Sequence, residues 1–285
     1  MSEEIDISTR FVTLIGTPLS QSYAAQMQNR AYQDMGLNIR YFYTETGSEH
    51  LNEILNGIRW MPSFLGCAIT KPNKVRVMED IDEADELCKR IGACNTIVKT
   101  SDGHLKGYNT DAMGFYQAMR SEANLTAEGK RFFCFGAGGA AKAICVALAY
   151  YGAAEIGVTD VYDAAAADLA QRISACPGCI GTKTVYSDHL TLDRYDVIIN
   201  ATGIGMGSTV GQSPLAEDAF PAGKVYFDAC YNPEKTQFLL NAEKKGGTVY
   251  NGLMMSLWQG VEQIRLWTGQ EPPIDVMLKA ITAKK

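Results

Sequence analysis

The apolar run Arg131–Phe135 leads straight into Gly136-Ala137-Gly138-Gly139-Ala140-Ala141, and a helical pattern follows without a break. The spacing is GxGxxA. Gly136 permits a tight turn, Gly138 lets the backbone approach a pyrophosphate, and Ala141 is small enough for the helix to pack closely with its N-terminus toward the anion. Asp160 closes the next strand-like run, Glu155–Thr159. It stands at roughly the twenty-residue offset where a carboxylate takes the adenosine ribose hydroxyls of a dinucleotide. A carboxylate there repels a 2′-phosphate, and Asp160-Val161-Tyr162-Asp163 contains no Arg or Lys, so NAD is the expected cofactor rather than NADP. Either Asp160 or Asp163 could instead cap the helix that follows.

Oxidation of an alcohol by a nicotinamide enzyme needs a group that moves the hydroxyl proton and stabilises the developing alkoxide. No serine–lysine–tyrosine grouping is evident, and His50, His104 and His189 read as solvated or packing residues. Lysine and aspartate remain. Thr70-Lys71-Pro72-Asn73-Lys74 ends a strand-like run, at the edge where open α/β sheets place their ligands. Gly107-Tyr108-Asn109-Thr110-Asp111 stands at a strand–helix junction. Taken alone, either stretch is also an ordinary capped turn.

These groups must be positioned by alternating strands and helices. The first third of the chain reads as strands at Phe11–Gly16, Ile39–Thr44 and Phe64–Thr70 with helices at Tyr23–Met35 and Leu51–Arg59. A second set reads as strands at Arg131–Phe135, Glu155–Thr159, Val197–Asn200 and Val225–Ala229, with helices at Gly138–Tyr151, Ala164–Ile173 and Thr236–Lys245. The last forty residues carry only helical patterns, Ser256–Trp267 and Ile274–Ala283. The expectation is a two-domain α/β protein, with an N-terminal α/β substrate domain and a doubly wound, Rossmann-type dinucleotide-binding domain. The expected bounds are residues 1–112, completed by C-terminal helices over 252–285, and residues 113–251 for the dinucleotide domain.

Composition narrows the class. The chain has 285 residues, 46% hydrophobic and 20% charged, enough to form packed cores and too apolar for disorder. A net charge of -6 gives no general reason to bind nucleic acid or an anionic membrane. The N-terminus lacks the basic and apolar stretches of a signal peptide, and Ala143–Ala154 is too short to span a bilayer, so a cytoplasmic protein is expected. Most of the eight cysteines sit among apolar or small residues, as free thiols in a reducing compartment would. Cys176-Pro177-Gly178-Cys179 has neither a second CxxC nor a His pair, and reads as a turn; no metal is expected.

Along nearly its whole length the sequence resembles the shikimate/quinate dehydrogenase family. The motifs that carry this are Gly16-Thr17-Pro18-Leu19-Ser20-Gln21-Ser22 with Asn29, Gly66 through Lys74, Gly92 through Thr96 followed by Gly107 through Asp111, the GAGGA turn with Asn200 through Met206, and Tyr231-Asn232-Pro233 with Asn251 through Gly260. The wording around Lys74, Gln259 and Trp267 is most similar to the branch that takes quinate as well as shikimate and uses NAD.

That resemblance implies Lys74 as the catalytic lysine and Asp111 as its partner carboxylate. It implies substrate contacts from Ser22, Thr70, Asn95, Tyr231 and Gln259, and cofactor contacts from Gly136, Ala137, Gly138, Gly139, Ala140, Asp160, Thr202 and Met206. The implied reaction is NAD-dependent oxidation of a ring hydroxyl of quinate or shikimate to the ketone, reversibly, within aromatic amino acid biosynthesis. The partner is then a small cyclic polyol acid, with no nucleic acid and no membrane, and a homodimer is an assembly left open. A paralogue acting on a related cyclitol or aminoshikimate-like compound, or a silent NAD-binding regulator, would share the fold. Two departures bear on substrate. Ala24 stands where the family has a second carboxylate-binding hydroxyl, and Ala68 stands where an Asn is frequent. Lys71, in place of a common apolar residue, is expected at the surface.

Overall fold

The computed structural model describes residues 5–20 and 22–283; Met1–Glu4, part of the N-terminus read for a signal peptide, and Gln21 of the first motif lie outside the described residues. The chain divides into two compact units, Met1–Gly114 with Leu257–Lys285, and Phe115–Ser256, against expected divisions at 112 and 251.

The first unit contains β1 (Arg10–Gly16), α1 (Ala24–Asp34), β2 (Ile39–Glu45), α2 (Leu51–Ile58), β3 (Phe64–Ile69) and the short α3 (Asn73–Arg76). It continues with β4 (Glu83–Ala84), α4 (Glu86–Ile91), β5 (Thr96–Lys99) and β6 (Leu105–Tyr108). Its strands form one sheet in the order β2-β1-β3-β5-β6-β4. β1 runs parallel to β2 and β3, while β5 runs antiparallel to both β3 and β6. The reversal at β5 has a direct consequence. Its first residue, Thr96, lies opposite Ala68 near the end of β3 and opposite Tyr108 at the end of β6. The ends of β3 and β6 and the start of β5 therefore share one sheet edge. A buried cluster that includes Ile15, Leu55, Phe64, Ile69 and Ile97 fills one face of this sheet.

Helix α5 (Thr110–Ala123) leads into the second unit, with β7 (Arg131–Phe135), α6 (Gly139–Tyr150), β8 (Glu155–Thr159), α7 (Asp163–Ser174), β9 (Ile180–Lys183) and β10 (Val197–Asn200). It ends with β11 (Val225–Asp228), α8 (Gln237–Lys244) and β12 (Thr248–Asn251). The sheet order is β12-β11-β10-β7-β8-β9 and every pairing is parallel. Counted from β7, this is the doubly wound order with its switch point between β7 and β10. The core packs Phe133, Phe135, Ile198, Tyr226 and Phe238.

Helices α9 (Leu253–Thr268) and α10 (Ile274–Thr282) complete the chain. Residues of α9 beyond Ser256 belong to the first unit, and α10 packs on α1. Trp267 is buried there and donates its indole N–H to the Ile97 carbonyl at 2.9 Å. Gly66 makes this possible, because a Cβ at that position would lie 2.6 Å from the indole nitrogen and 2.1 Å from the Ile97 oxygen.

The strands β5, β9 and β12 were not among the sequence expectations. Each holds at most two adjacent apolar residues, where Val197–Asn200 holds three, and in β9 Ile180 is exposed at the sheet edge, so the apolar run that marks a strand is absent. Among the described residues no helix is long and apolar enough to cross a membrane.

Candidate active site

Lys74 lies in α3, directly after β3. Asn73 holds this turn: its side chain is buried, accepts the Ser48 hydroxyl at 2.8 Å and donates to the Thr46 carbonyl at 3.3 Å. Asp111 enters from the opposite direction, in the first turn of α5. Asn109 caps that helix, accepting the Ala112 N–H at 3.2 Å and donating to the Ala93 carbonyl at 2.8 Å. Because the ends of β3 and β6 share an edge, these two turns face each other, and Lys74 Nζ donates to Asp111 Oδ2 at 2.6 Å. The side chains are 22% and 13% exposed, sheltered but still reachable by a small molecule.

Asn95 sits one residue before β5, on the same edge. Its carbonyl oxygen accepts the Thr110 N–H at 2.7 Å, the Thr96 hydroxyl at 3.0 Å and the Thr110 hydroxyl at 3.1 Å. With the oxygen used in this way, the amide nitrogen is left to donate outward, and it reaches Gln259 Oε1 at 3.5 Å. The preceding residue, Cys94, donates its N–H to the Lys74 carbonyl at 2.8 Å, which ties the two halves of the site together. Lys74, Asp111, Asn95 and Gln259 thus form a compact set of an amine, a carboxylate and two amides, suited to grip hydroxyls and transfer a proton.

The other substrate candidates are held within their own loops. Ser22 accepts the Ala24 N–H at 3.2 Å on its hydroxyl and the Tyr43 hydroxyl at 2.8 Å on its carbonyl. Thr70 bridges β1 and α3 through its backbone, donating to the Ile15 carbonyl and accepting the Asn73 N–H, both at 2.9 Å. Ala24 is half-buried, Ala68 is buried and Lys71 is exposed. Tyr231 is half-buried and belongs to the second unit.

In the second unit the glycine turn follows β7 and the Asn200 loop follows β10, so the two loops flank the switch point. Gly136 has φ +104°, and a Cβ there would stand 2.9 Å from the Ala201 carbonyl group; the close approach of the loops requires glycine. At Gly138 a Cβ would meet nothing within 4 Å, so the turn is open where the first N–H groups of α6 lack intrahelical acceptors. These features fit a pyrophosphate, cradled by Gly136 through Ala140. Asp160 accepts the Ala137 N–H at 2.7 Å and the Tyr162 N–H at 2.8 Å, which leaves further lone pairs for ribose hydroxyls.

The alternative capping role for Asp163 is corrected by the structure. Tyr162 is the N-cap of α7, no side chain caps it, and Asp163 pairs instead with Lys183 at 2.7 Å.

Thr202 turns its hydroxyl to Asn200 at 2.6 Å, and Met206 is exposed. Asn200 also donates to Asp228 at 3.1 Å, and Asp228 accepts the Thr236 hydroxyl at 2.5 Å and the Cys230 N–H at 2.9 Å. Burial pushes the Asp228 carboxyl above its ordinary range, while these donors oppose the shift. Asp228 was not among the sequence candidates, although a carboxylate closing an apolar strand of an open sheet is the signal that would have found it. Thr96, Thr110, Gln28 and Gln263, the buried partners behind Asn95, were missed as candidates for the same site.

Residues 14–97 match the family model described as the shikimate dehydrogenase substrate binding domain, and residues 252–282 match the shikimate 5′-dehydrogenase C-terminal domain. A shikimate dehydrogenase (NADP(+)) of Bacillus cereus is 36% identical over 278 residues, covering 95% of this chain and 97% of its own. The shikimate 5-dehydrogenase of Listeria monocytogenes, solved in complex with shikimate and NAD, superposes with a TM-score of 0.92 at 32% identity and covers 99% of both chains. The quinate dehydrogenase of Corynebacterium glutamicum, solved in complex with NAD, gives a TM-score of 0.89 at 27% identity, covering 97% of this chain and 99% of its own.

Replacing Asn95 tests its role as the organiser of this edge. Asn95→Ala leaves one buried N–H and two hydroxyls without their shared acceptor and should lower stability by about 2–4 kcal/mol in urea unfolding. An unchanged midpoint would show that the acceptor is dispensable.

Proposed function

The chain belongs to the shikimate dehydrogenase family, and from that premise we propose that it oxidises a ring hydroxyl of a cyclic polyhydroxy acid, quinate or shikimate, reversibly to the ketone, with NAD as its preferred dinucleotide. In this reading the first unit binds and turns over the ring substrate and the second binds the dinucleotide. The observation that carries it is the 2.6 Å contact between Lys74 and Asp111. A sheltered amine held by a carboxylate is a device for taking a hydroxyl proton at a fixed point. The eight cysteines are buried and none is in a disulfide, which fits action in a reducing cytoplasm.

When bound, the nicotinamide ring supplies the hydride acceptor. The chain does the rest. Asn95 and Gln259 donate to ring hydroxyls and fix the ring's rotation, while Ser22 and Thr70 are assigned to its remaining substituents. Lys74, in its neutral form, takes the proton of the reacting hydroxyl at Nζ as the adjacent C–H bond gives up its electron pair and the C=O bond forms. Asp111 holds the amine in line and stabilises the ammonium that results. In the reverse direction the same ammonium returns the proton to the forming alkoxide.

The curated relatives carry NADP(+) in their names, and the Listeria structure holds NAD, so the cofactor preference is argued from this chain's own residues. Asp160 opposes a 2′-phosphate, and Val161 and Tyr162 beside it are exposed and uncharged. The neighbouring cations are engaged with carboxylates: Lys142 and Arg172 with Asp168, and Lys183 with Asp163.

A second reading, a paralogue for a related cyclitol, draws on one feature. Ala24 offers no hydroxyl to a substrate carboxylate, and a missing charge-assisted hydrogen bond costs about 1.5–3 kcal/mol, or roughly ten- to a hundredfold in binding.

Lys74→Ala should lower kcat by roughly two to four powers of ten with little change in dinucleotide affinity, as steady-state kinetics and a binding titration would show. Near-normal turnover would place the proton route elsewhere. Measured by kcat/KM, NAD should exceed NADP, and Asp160→Ser with Val161→Arg should reverse the order; equal or better use of NADP by the parent chain would refute the assignment. Ala24→Ser separates the two substrate readings. A several-fold gain in kcat/KM for shikimate or quinate supports a carboxylated ring bound suboptimally, whereas no gain, with a cyclitol outperforming both acids, supports the paralogue.

A further inference from the structure

Behind Asn95 runs a line of buried amides and hydroxyls. Gln28 on α1 is fully buried and Gln263 on α9 is 1% exposed. The Gln28 amide nitrogen donates to the Gln263 carbonyl oxygen at 3.0 Å, and the Gln263 nitrogen donates to the Thr96 hydroxyl at 3.0 Å. Thr96 in turn donates to Asn95 Oδ1 at 3.0 Å and lies 2.9 Å from the Thr110 hydroxyl. Each group accepts from the one before it and donates to the one after it. The Gln28 nitrogen also donates to the Gly260 carbonyl at 3.4 Å, while the buried Gln28 Oε1 has no partner among the described residues, so the donor end of this amide faces α9 and the line from Gln28 to Asn95 runs in one direction.

That direction has an outcome at the pocket. The Asn95 oxygen is committed inward, so its nitrogen donates outward to Gln259 Oε1 and the Gln259 nitrogen is left to donate as well. Gln259 and Gln263 are four residues apart on α9 and so share a helix face. The bond from Gln263 to Thr96, next to Asn95 in sequence, therefore acts with that of Trp267 to Ile97 to hold the helix that carries Gln259 against β5, and it is the nearer of the two to Gln259.

We propose that Gln263, clamped between Gln28 and Thr96, is a positioning residue that makes Asn95 and Gln259 a donor surface for the substrate's hydroxyls. The proposal rests on the reading of those two residues as substrate contacts. Gln263 touches no reacting atom. Its effect belongs in substrate binding and geometry, and the binding of the dinucleotide should not depend on it.

The test is a set of methionine variants, since methionine matches the length and flexibility of glutamine without its hydrogen bonds. Gln263→Met should raise the KM for shikimate or quinate roughly tenfold, leave the dinucleotide KM within about twofold, and lower the melting temperature. Gln28→Met leaves the Gln263–Thr96 pair in place but frees the Gln263 amide to invert, and should give the same split with smaller amplitude. In the double variant both buried partners become apolar, which removes the unpaired group left by either single change. It should recover melting temperature without recovering KM.

Recovery of both together would show that the pair only stabilises the fold, and would overturn the proposal. So would a dinucleotide KM that rises with that of the acid, or parental KM values in both single variants. Failure of the unmodified chain to oxidise either acid is a separate outcome, because it removes the functional reading and this proposal with it.

Discussion

One carbonyl oxygen organises the first unit's working edge. Asn95 Oδ1 accepts the N–H that begins α5 and the hydroxyls of Thr96 and Thr110, joining the start of one strand to the helix that follows another. The arrangement depends on β5 running against its neighbours. Were β5 parallel to β3, its first residue would lie at the far end of the sheet, and Asn95 would be about a strand's length from Lys74 and Asp111. Instead the reversal gathers the amine, the carboxylate and the amide at one rim, and the hydrogen bonds of Asn95 hold them in register.

The second unit reaches a comparable result by different means. Its strands are all parallel, so the loops that follow the strands gather at the carboxyl rim, and a crevice opens there where the order reverses between β7 and β10. Gly136 lets the two loops approach there, and the buried Asn200–Asp228–Thr236 cluster holds the second loop in shape. One unit thus positions side chains through a buried polar line, and the other positions backbone N–H groups through a turn without side chains.

What could be read from the sequence follows from how local each signal is. The glycine turn and Asp160 were legible because strand, turn, helix and next strand lie within thirty residues and each leaves a compositional mark. Lys74 and Asp111 were recognisable as residue types at strand ends. Their pairing across 37 residues was implied by the family resemblance and not by any local pattern, because it depends on the reversal at β5, which no run of residues marks. Gln28 and Gln263 left no mark at all. Glutamine is usually a surface residue, and only the fold, by bringing together positions 235 apart in sequence, turns this pair into an interior contact. Asp163 shows the reverse: an acidic residue at a helix start offers itself as a cap, but Lys183 at the end of β9 claims it.

The return of α9 to the first unit also has an order in time. The second unit needs residues only up to Ser256, whereas the first needs the contacts of Gln263 to Gln28 and of Trp267 to Ile97, across 235 and 170 residues. Domains fold as units while the chain is made, N-terminal portions first. Here the portion made first is the last to be completed. Until the final helices leave the ribosome, β3 and β5 lack the indole that covers Gly66 and Asn95 lacks its partner on α9. The residues of the second unit are therefore all made before the edge that bears Lys74, Asp111 and Asn95 can take its final form.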